Sequence, residues 1–253
     1  MVDPKNELLR YLRQQEQMYG RTLYVDHVER PVRSLPPSQP MPEVTVAEIA
    51  HEQTLVHEVG SIKGFDDVTT LEQFQARICT CMQCPLGATR TNFVFGSGNP
   101  NADIMVIGEA PGADEDEQGL PFVGRAGQLL TKILESIEMP REQVYICNIL
   151  KCRPPNNRKP LASETDQCEP YLWKQIELIK PKFILALGLT AANTLLKNKE
   201  SMTALRGKVH DYQGIQTIVT YHPAALLRNP DWKKHTWEDV KFLRKLYQES
   251  TAV

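Results

Sequence analysis

Four cysteines occur as two local pairs whose spacing suits a metal centre. Cys81 and Cys84 form a C-x-x-C motif, and Cys152 and Cys168 follow with fifteen residues between them. Two such pairs supply the four thiolates that a tetrahedral zinc ion or a cubane iron–sulfur cluster requires. The spacing alone leaves three interpretations open: a [4Fe–4S] cluster, a structural zinc ion, or unliganded thiols in the core.

The other two cysteines do not fit this pattern. Cys147 alternates within a predicted strand, where it behaves as a small apolar residue. Cys79 lies close enough to the motif to replace Cys81 as a ligand. A thioredoxin-like redox function is disfavoured, because no strand of that fold precedes the C-x-x-C.

A long polar loop between a strand and a helix is the candidate active site. The run 102–108 has the length and branched apolar content of a buried strand, and 126–137 has apolar residues at helical spacing. The loop between them is rich in glycine, proline and acid. Open α/β folds bind ligands at the carboxyl ends of their strands, so this loop is placed to do so. Phe122 within it is either a core residue or a stacking platform.

Further candidates follow two later strands. Asn148 offers a donor and an acceptor side by side, which suits the edge of a pyrimidine base. His222 ends the last strand, and Leu226, Leu227 and Arg228 then combine an apolar tip with a positive charge. A wedge that enters a base stack requires that combination. Each residue also has a structural explanation: an amide that satisfies backbone groups, a satisfied histidine and two core leucines.

The elements that must position these residues alternate along the chain. Strands followed by helices predict a parallel sheet that is covered on both faces. We therefore expect a three-layer α/β/α sandwich with a central four-stranded parallel sheet. Strands are predicted at 102–108, 144–150, 183–188 and 216–222, and helices at 71–78, 126–137, 164–180, 190–198 and 236–248.

The first 66 residues differ in character from the rest. Residues 31–42 hold five prolines and predict an extended linker, with a helix at the start of the chain and another at 47–59. We expect residues 1–66 to be an extension available to a protein partner and 67–253 to be the catalytic domain. No signal peptide or membrane span is recognisable, so we expect a cytoplasmic protein without disulfides.

Net charge does not identify the partner, because 29 basic residues nearly balance 31 acidic ones. The distribution is more informative. Lys197–Lys245 contains ten basic and five acidic residues, and Lys151, Arg153, Arg158 and Lys159 form a second basic cluster. Such clusters suit a DNA backbone, although most charge clusters are solvated surface.

Three motifs and the paired cysteines together resemble the iron–sulfur (family four) uracil-DNA glycosylases. The motifs are GEAPGADEDEQGLPFVGRAGQLL at 108–130, NILKCRPPNNR at 148–158 and HPAALLR at 222–228. The resemblance runs from about Cys79 through the C-terminal helix, and the first motif is its most specific part. It implies a [4Fe–4S] cluster held by Cys81, Cys84, Cys152 and Cys168, in a uracil-DNA glycosylase-like fold.

The resemblance also implies a base pocket. Glu109 and Ala110 would lie at its floor, with their backbone near a uracil carbonyl. Phe122 would stack on the flipped base, and Asn148 would hydrogen-bond its edge. Glu115 would lie against C5, where thymine carries its methyl group.

For catalysis, the resemblance places His222 opposite the uracil O2, with Leu226 and Arg228 filling the gap that the flipped base leaves. Breaking the N-glycosidic bond produces a cationic sugar and an anionic uracil, so a donor at O2 would stabilise the transition state. Ala110 stands where better-known uracil glycosylases have an aspartate that activates water. Asn148 or Glu109 would then position the water, or water attacks with little base assistance.

The expected activity is hydrolysis by a monofunctional, monomeric glycosylase that leaves an abasic site in single- or double-stranded DNA. Residues 152–168 lack the histidine of related proteins that react covalently. The alternative is a non-catalytic DNA-binding module whose fold is stabilised by a metal. Such a module would not need the pocket residues. A nucleotide-binding enzyme is disfavoured, because the loop has neither G-x-G-x-x-G nor a Walker lysine.

Overall fold

The computed structural model describes residues 64–251. The predicted Pro-rich linker and the helices predicted before residue 60 lie outside the described residues. Helix α1, Leu71–Ile78, is the first element, and the Thr70 side chain caps it by accepting a hydrogen bond from the Gln73 amide. This helix and its cap agree with the prediction.

A six-stranded sheet forms the middle layer. Its strands are β1 (Ser97–Gly98), β2 (Ile104–Gly108), β3 (Tyr145–Asn148), β4 (Phe183–Leu187), β5 (Val209–Tyr212) and β6 (Ile215–Thr220). The order is β1-β3-β2-β4-β6-β5. The four central strands β3, β2, β4 and β6 pair in parallel and are the four predicted from sequence. The predicted class is therefore confirmed, and two antiparallel edge strands are added to it.

The edge strands escaped prediction for two reasons. Strand β1 has only two residues, and an added Cβ at Gly98 would lie 2.0 Å from the Val144 carbonyl oxygen. The contact is therefore made by backbone alone and leaves no apolar pattern. Strand β5 joins β6 through Gln213 and Gly214, which both have positive φ. Such a two-residue turn builds a hairpin. Apolar and polar residues alternate too weakly along β5, the first strand of this hairpin, for the strand to be recognised.

Helices cover both faces. The longer ones are α4 (Arg125–Ser136), α5 (Ala162–Ile179), α6 (Leu189–Leu196) and α9 (Lys233–Thr251), as predicted within a few residues at their ends. Short helices also occur where loops were expected. They are α2 (Leu86–Thr89), α3 (Ala113–Gln118), α7 (Met202–Leu205) and α8 (Pro223–Arg228), with single 3-10 turns at Pro155–Asn157 and Pro230–Trp232.

Alternating strand side chains divide the core into two layers. Met105 and Ile107 of β2 pack in one cluster with the apolar faces of α1, α5 and α6. Ile104 and Val106 point the other way and pack with α4 and α9. This alternation is what a parallel sheet buried on both faces requires. In the described part of the chain, no helix has the length and apolar content needed to cross a membrane.

Candidate active site and metal centre

The candidate pocket lies at the carboxyl edge of the sheet. Gly108 ends β2 and is the register partner of Asn148, which ends β3. An added Cβ at Gly108 would lie 2.4 Å from Asn148 Oδ1 and 2.5 Å from Phe122 Cζ. Glycine is therefore required here, because it lets the amide and the aromatic ring approach the same point. Gly108, Phe122, Asn148 and His222 are called the candidate pocket below.

Asn148 presents an unpaired acceptor. Its side chain is buried, and Oδ1 has no hydrogen-bond partner among the described residues. A buried acceptor left unpaired costs about 1–3 kcal/mol, so such atoms call for an explanation. The Asn148 backbone carbonyl, in contrast, accepts a hydrogen bond from Lys151 Nζ at 2.7 Å. The residue is thus fixed by its backbone, and its amide oxygen is available to a ligand N–H.

Phe122 is held in a backbone conformation that few non-glycine residues adopt, with φ 54°. Arg141 fixes it by donating hydrogen bonds to the carbonyls of Phe122 at 3.0 Å and Pro121 at 2.9 Å. Gly127 in α4 packs under the same carbonyl, since an added Cβ would lie 1.9 Å from it. Sequence reasoning missed Arg141, because nothing near it in the chain indicates a pocket.

His222 lies next to Phe122, with ring centroids 5.5 Å apart and an interplanar angle of 33°. It caps α8, where Nδ1 accepts a hydrogen bond from the Ala224 amide at 3.2 Å. Burial, and then the nearby charge of Arg228, lower the pKa of His222 to about 4. The ring is therefore neutral near pH 7, and its proton is on Nε2, where it can be donated.

The acidic helix α3 uses two of its four acids as anchors. Glu115 accepts hydrogen bonds from the amides of Gly112 at 3.1 Å, Val123 at 2.9 Å and Gly124 at 3.0 Å. Asp116 is buried, and the Thr91 amide donates a bifurcated hydrogen bond to its two carboxylate oxygens. These carboxylates are compensated within the protein, which removes part of their repulsion toward a polyanion. The predicted contact of Glu115 with a base stays a prediction.

Glu109 and Ala110 follow β2 directly. The Glu109 carbonyl accepts a hydrogen bond from the Leu150 amide at 3.1 Å, which ties this loop to the one after β3. Both residues are partly exposed. The Glu109 carboxylate makes no hydrogen bond or ion pair with the described residues, so it is available to water.

The predicted wedge differs from the structure in one residue. Leu226 has no exposed surface, whereas Leu227 is 39% exposed and Arg228 is also exposed. A residue that enters a base stack must be accessible. Leu227 is therefore the accessible apolar residue of this segment, and Leu226 is buried. The two are adjacent in a six-residue helix, and only tertiary packing decides which one is buried.

Three of the four paired cysteines accept hydrogen bonds at their sulfur atoms. Tyr171 Oη donates to Cys81 at 3.3 Å, and Arg90 Nη1 donates to Cys152 at 3.3 Å. The Lys151 amide donates to Cys168 at 3.3 Å. Cys81, Cys84, Cys152 and Cys168 are called the cysteine centre below. Hydrogen bonds to sulfur are a recurring feature of metal-bound thiolates.

Two of these thiols, those of Cys168 and Cys152, have pKa values above the ordinary range of a cysteine. Burial, with smaller contributions from nearby Cys152 and Cys84, raises the pKa of Cys168 to about 12, against an opposing effect of Lys151. Burial also raises the pKa of Cys152, to which Cys84 and Cys81 contribute. The thiols of Cys168 and Cys152 therefore each lie near enough to Cys84 for its charge to affect them. Within residues 64–251, no three His, Cys, Asp or Glu side chains are placed to hold a single metal ion.

The two remaining cysteines lie elsewhere. Cys79 is exposed, and its thiol donates to the Ala76 carbonyl at 3.5 Å. Cys147 is buried within β3. The hydrogen bonds to sulfur therefore favour Cys81 over Cys79 as a ligand.

Lys151 links the two regions, and sequence analysis misjudged it. It was grouped with exposed basic residues, but it is fully buried, and Nζ donates to the Asn148 carbonyl and to Gln175 Oε1 at 2.6 Å. Arg158 of the same cluster makes a bidentate pair with Glu164. Lys159 is exposed, and Arg153 is partly exposed and donates from Nε to Asn157 Oδ1 at 2.8 Å.

Comparison with known proteins gives consistent matches. The sequence model of the Uracil DNA glycosylase superfamily matches residues 95–246. The type-4 uracil-DNA glycosylase of Sulfurisphaera tokodaii is 46% identical over 186 residues, which cover 70% of this chain and 84% of that protein. The type-4 enzyme of Archaeoglobus fulgidus is 42% identical over 185 residues, covering 70% and 93%. That of Thermotoga maritima is 47% identical over 161 residues, covering 63% and 84%.

Proposed function

The chain belongs to the uracil DNA glycosylase superfamily and to its type-4 group, and from this premise we propose how its residues excise uracil from DNA. The protein is an enzyme of DNA repair that hydrolyses the N-glycosidic bond of uracil. The observation that carries the mechanism is the unpaired Oδ1 of Asn148, buried beside Phe122. A non-catalytic DNA-binding module is not favoured, since it gives no reason for that atom.

Recognition begins with the flipped base between Phe122 and Asn148. The Phe122 ring stacks on the base, which offsets part of the few kcal/mol that flipping costs. Asn148 Oδ1 accepts a hydrogen bond from the uracil N3–H, and its amide donates to O4. Cytosine has no N3–H and carries an amino group at C4, so both hydrogen bonds would be lost.

Catalysis depends on the neutral ring of His222. Its Nε2–H donates to the uracil O2, where negative charge develops as the bond to the sugar breaks. One preorganised donor of this kind contributes about 3 kcal/mol to transition-state stabilisation. A depressed pKa favours this role, because it keeps the imidazole neutral near pH 7. Since Nδ1 accepts a hydrogen bond from the Ala224 amide, the proton on Nε2 is available for donation.

Water reaches the sugar from the side of Glu109. Ala110 cannot act as a general base. We assign Asn148 to the binding of the uracil ring. The Glu109 carboxylate, which has no partner among residues 64–251, orients the attacking water. Hydrolysis leaves an abasic site, and the reaction forms no covalent intermediate with the protein.

Two further contacts follow from the arrangement. The carboxylate of Glu115, held by three amides, forms a fixed wall that excludes the C5 methyl of thymine. Leu227, supported by buried Leu226, enters the gap left by the base, while Arg228 binds the adjacent phosphate.

Cys81, Cys84, Cys152 and Cys168 would hold a [4Fe–4S] cluster. When bound, it supplies a structural cross-link, with no step of the hydrolysis assigned to it. The chain's own contribution is the set of hydrogen bonds from Tyr171, Arg90 and the Lys151 amide, which would stabilise the thiolates. The link joins the end of α1 to the loop after β3.

The remaining proposals concern organisation. We assign residues 67–253 to catalysis and residues 1–66 to an extension that contacts a protein partner. A monomer in the cytoplasm is the expected form, and one chain supplies every residue that we assign to the pocket. Size-exclusion chromatography with light scattering of the full chain tests the oligomeric state.

The decisive experiment is base release from an oligonucleotide that contains one uracil, in single-stranded and duplex form, with excess chelator. Matched oligonucleotides with thymine or cytosine at the same position are the controls. We expect abasic sites at uracil alone. Cluster-loaded protein that bound both forms of DNA but released no base would contradict the proposal.

A further inference from the structure

A stacked pair of aromatic rings lies beside the candidate pocket and has no role in the mechanism above. Tyr221, directly before His222, stacks on Trp232 with ring centroids 4.7 Å apart and an interplanar angle of 24°. The neighbouring side chains Tyr221 and His222 therefore have different partners: His222 faces Phe122, and Tyr221 faces Trp232. The pair lies where the chain leaves β6 at the same sheet edge as the pocket.

The Tyr221 ring is fixed by a buried ion pair. The Arg206 guanidinium lies over it, with Cζ 4.9 Å from the ring centroid. Arg206 is held by Asp239 at 2.6 and 2.9 Å and by the His235 carbonyl at 2.6 Å. Asp239 in turn accepts a hydrogen bond from Thr220 Oγ1 at 2.7 Å. The Tyr221 ring is therefore held in place, and it supports the Trp232 ring that stacks on it.

The Trp232 side chain is accessible to a ligand. It is 38% exposed, and within the described part of the chain Tyr221 is its only ring partner. Exposed Arg228, Lys233 and Lys234 flank it in the chain, with Asp231 as the one acid between them. A preformed aromatic surface with a cationic rim matches a base and its phosphates.

We propose that Trp232, supported by Tyr221 and Arg206, is a stacking platform for an unpaired base next to the flipped uracil. The proposal rests on the proposed function and deepens it, because it identifies the platform's preferred substrate as single-stranded DNA. In a duplex, the neighbouring bases keep their own stacking partners and gain little from another ring. In a single strand that stacking is absent, and the Trp232 platform supplies it.

The first test compares KM and kcat of variants on single-stranded and duplex oligonucleotides that contain one uracil. From the contribution of one base–aromatic stack, Trp232→Ala should raise KM for the single strand about 10-fold. The duplex KM should rise less than about threefold on the same basis. Trp232→Phe should lie between wild type and Trp232→Ala, with kcat retained.

Trp237→Ala is the matched control. Trp237 is similarly exposed, at 43%, and also has a cation, Lys241 Nζ, 5.5 Å from its ring centroid. It lies along α9 and is not stacked on Tyr221, so both KM values should stay at the wild-type level. Equal effects of Trp232→Ala on the two DNA forms, or equal effects of the two tryptophan variants, would overturn the proposal.

A second test does not depend on base release. The chain has three tryptophans, at 173, 232 and 237, so Trp173→Phe/Trp237→Phe leaves Trp232 as the only indole fluorophore. Titration with a uracil-free single-stranded oligonucleotide should quench its fluorescence, and Trp173→Phe/Trp232→Phe should show no quenching. Absence of quenching while anisotropy reports DNA binding would contradict the platform. Quenching without uracil release would retain the platform and refute the proposed function.

Discussion

The candidate pocket and the cysteine centre differ in how completely their polar atoms are hydrogen-bonded. In the pocket, Asn148 Oδ1 is buried without a hydrogen-bond partner among residues 64–251. In the cysteine centre, Cys81, Cys152 and Cys168 each accept a hydrogen bond from the surrounding protein. The two regions are joined through Lys151, whose ammonium group holds the Asn148 carbonyl and whose amide donates to Cys168.

This difference distinguishes a ligand-binding site, which keeps an unpaired acceptor, from a structural site, whose sulfurs are hydrogen-bonded within the protein. An unpaired buried acceptor lowers stability by about 1–3 kcal/mol, and it is retained where a substrate supplies the missing donor. The three hydrogen-bonded sulfurs, in contrast, already have partners within the protein and contribute to stability. Substitutions in the pocket should therefore reduce activity at little cost in stability, and substitutions in the cysteine centre should do the reverse.

Asn148→Leu should have the largest effect. The apolar side chain has nearly the same shape but cannot accept from N3–H or donate to O4, so kcat/KM should fall about 1000-fold, as for a lost preorganised hydrogen bond. The melting temperature should stay at the wild-type value or rise, since the unpaired acceptor is removed. Base release and thermal melting measure the two quantities. A melting temperature that fell in step with activity would show that Asn148 is a structural residue.

His222→Gln should follow, with kcat about 100-fold lower, because a donor remains in the pocket but is misplaced. His235→Gln, at a more exposed ring, is the control and should keep wild-type kcat. Retained activity in His222→Gln would exclude the donor role at O2.

His222→Gln also tests the comparison through the pH dependence of the free energy of unfolding. The folded pKa of His222, about 4, lies below its ordinary value of 6.5. Below about pH 6.5 the unfolded chain therefore gains a proton that the folded chain does not, and the free energy of unfolding falls as pH drops toward 4. Above that range His222 has no such effect. His222→Gln should reduce this acid-side loss, as measured by denaturant unfolding near pH 7 and pH 5.

Cys152→Ser tests the other region. We expect loss of bound iron and of visible absorbance, and a melting temperature about 10 °C lower, as for a cross-link worth 3–4 kcal/mol. The kcat of the folded fraction should change less than in the pocket variants. Cys79→Ser, in the same segment but with an exposed thiol, should retain iron and stability. Iron loss in Cys79→Ser with retention in Cys152→Ser would reassign the ligands.

The sequence alone predicts the central strands, the long helices and some of the residues at the candidate pocket. The central strands have continuous branched apolar runs, and the long helices have apolar residues at helical spacing, so both were predictable. The helix at Ala113–Gln118 has no apolar residue beyond alanine and is held by Glu115 bonds to a loop eight and nine residues away. Periodicity contains no signal for it.

The side chains that sequence misjudged depend on tertiary packing. Leu226 and Leu227 are chemically identical neighbours, and only the position of α8 decides which is exposed. Lys151 lies among exposed cations in sequence, yet its partner Gln175 is 24 residues away in α5. Asn148 was accessible to prediction because the carboxyl ends of adjacent parallel strands meet at one edge.

The smallest effect concerns the connection between the two regions. Lys151→Met keeps the aliphatic length but removes the hydrogen bonds to the Asn148 carbonyl and Gln175. Leaving buried acceptors unpaired should lower the free energy of unfolding by about 1–3 kcal/mol. Iron should be retained, because Cys168 is bonded by the Lys151 backbone amide, which the substitution preserves. Misplacement of Asn148 should lower kcat only a few-fold, and exposed Lys159→Met should change neither quantity.

Adding Gln175→Met to Lys151→Met decides whether the lysine acts through its buried hydrogen bond. Replacing both partners by apolar groups is less costly than replacing one, so the double variant should recover part of the stability lost by Lys151→Met. Its kcat should stay reduced, because the Asn148 carbonyl still lacks its donor. If activity recovered together with stability, the pocket would depend on general packing around α5 and not on Lys151. Loss of iron in either variant would show that the pocket and the cysteine centre are one cooperative unit, contrary to the separation argued above.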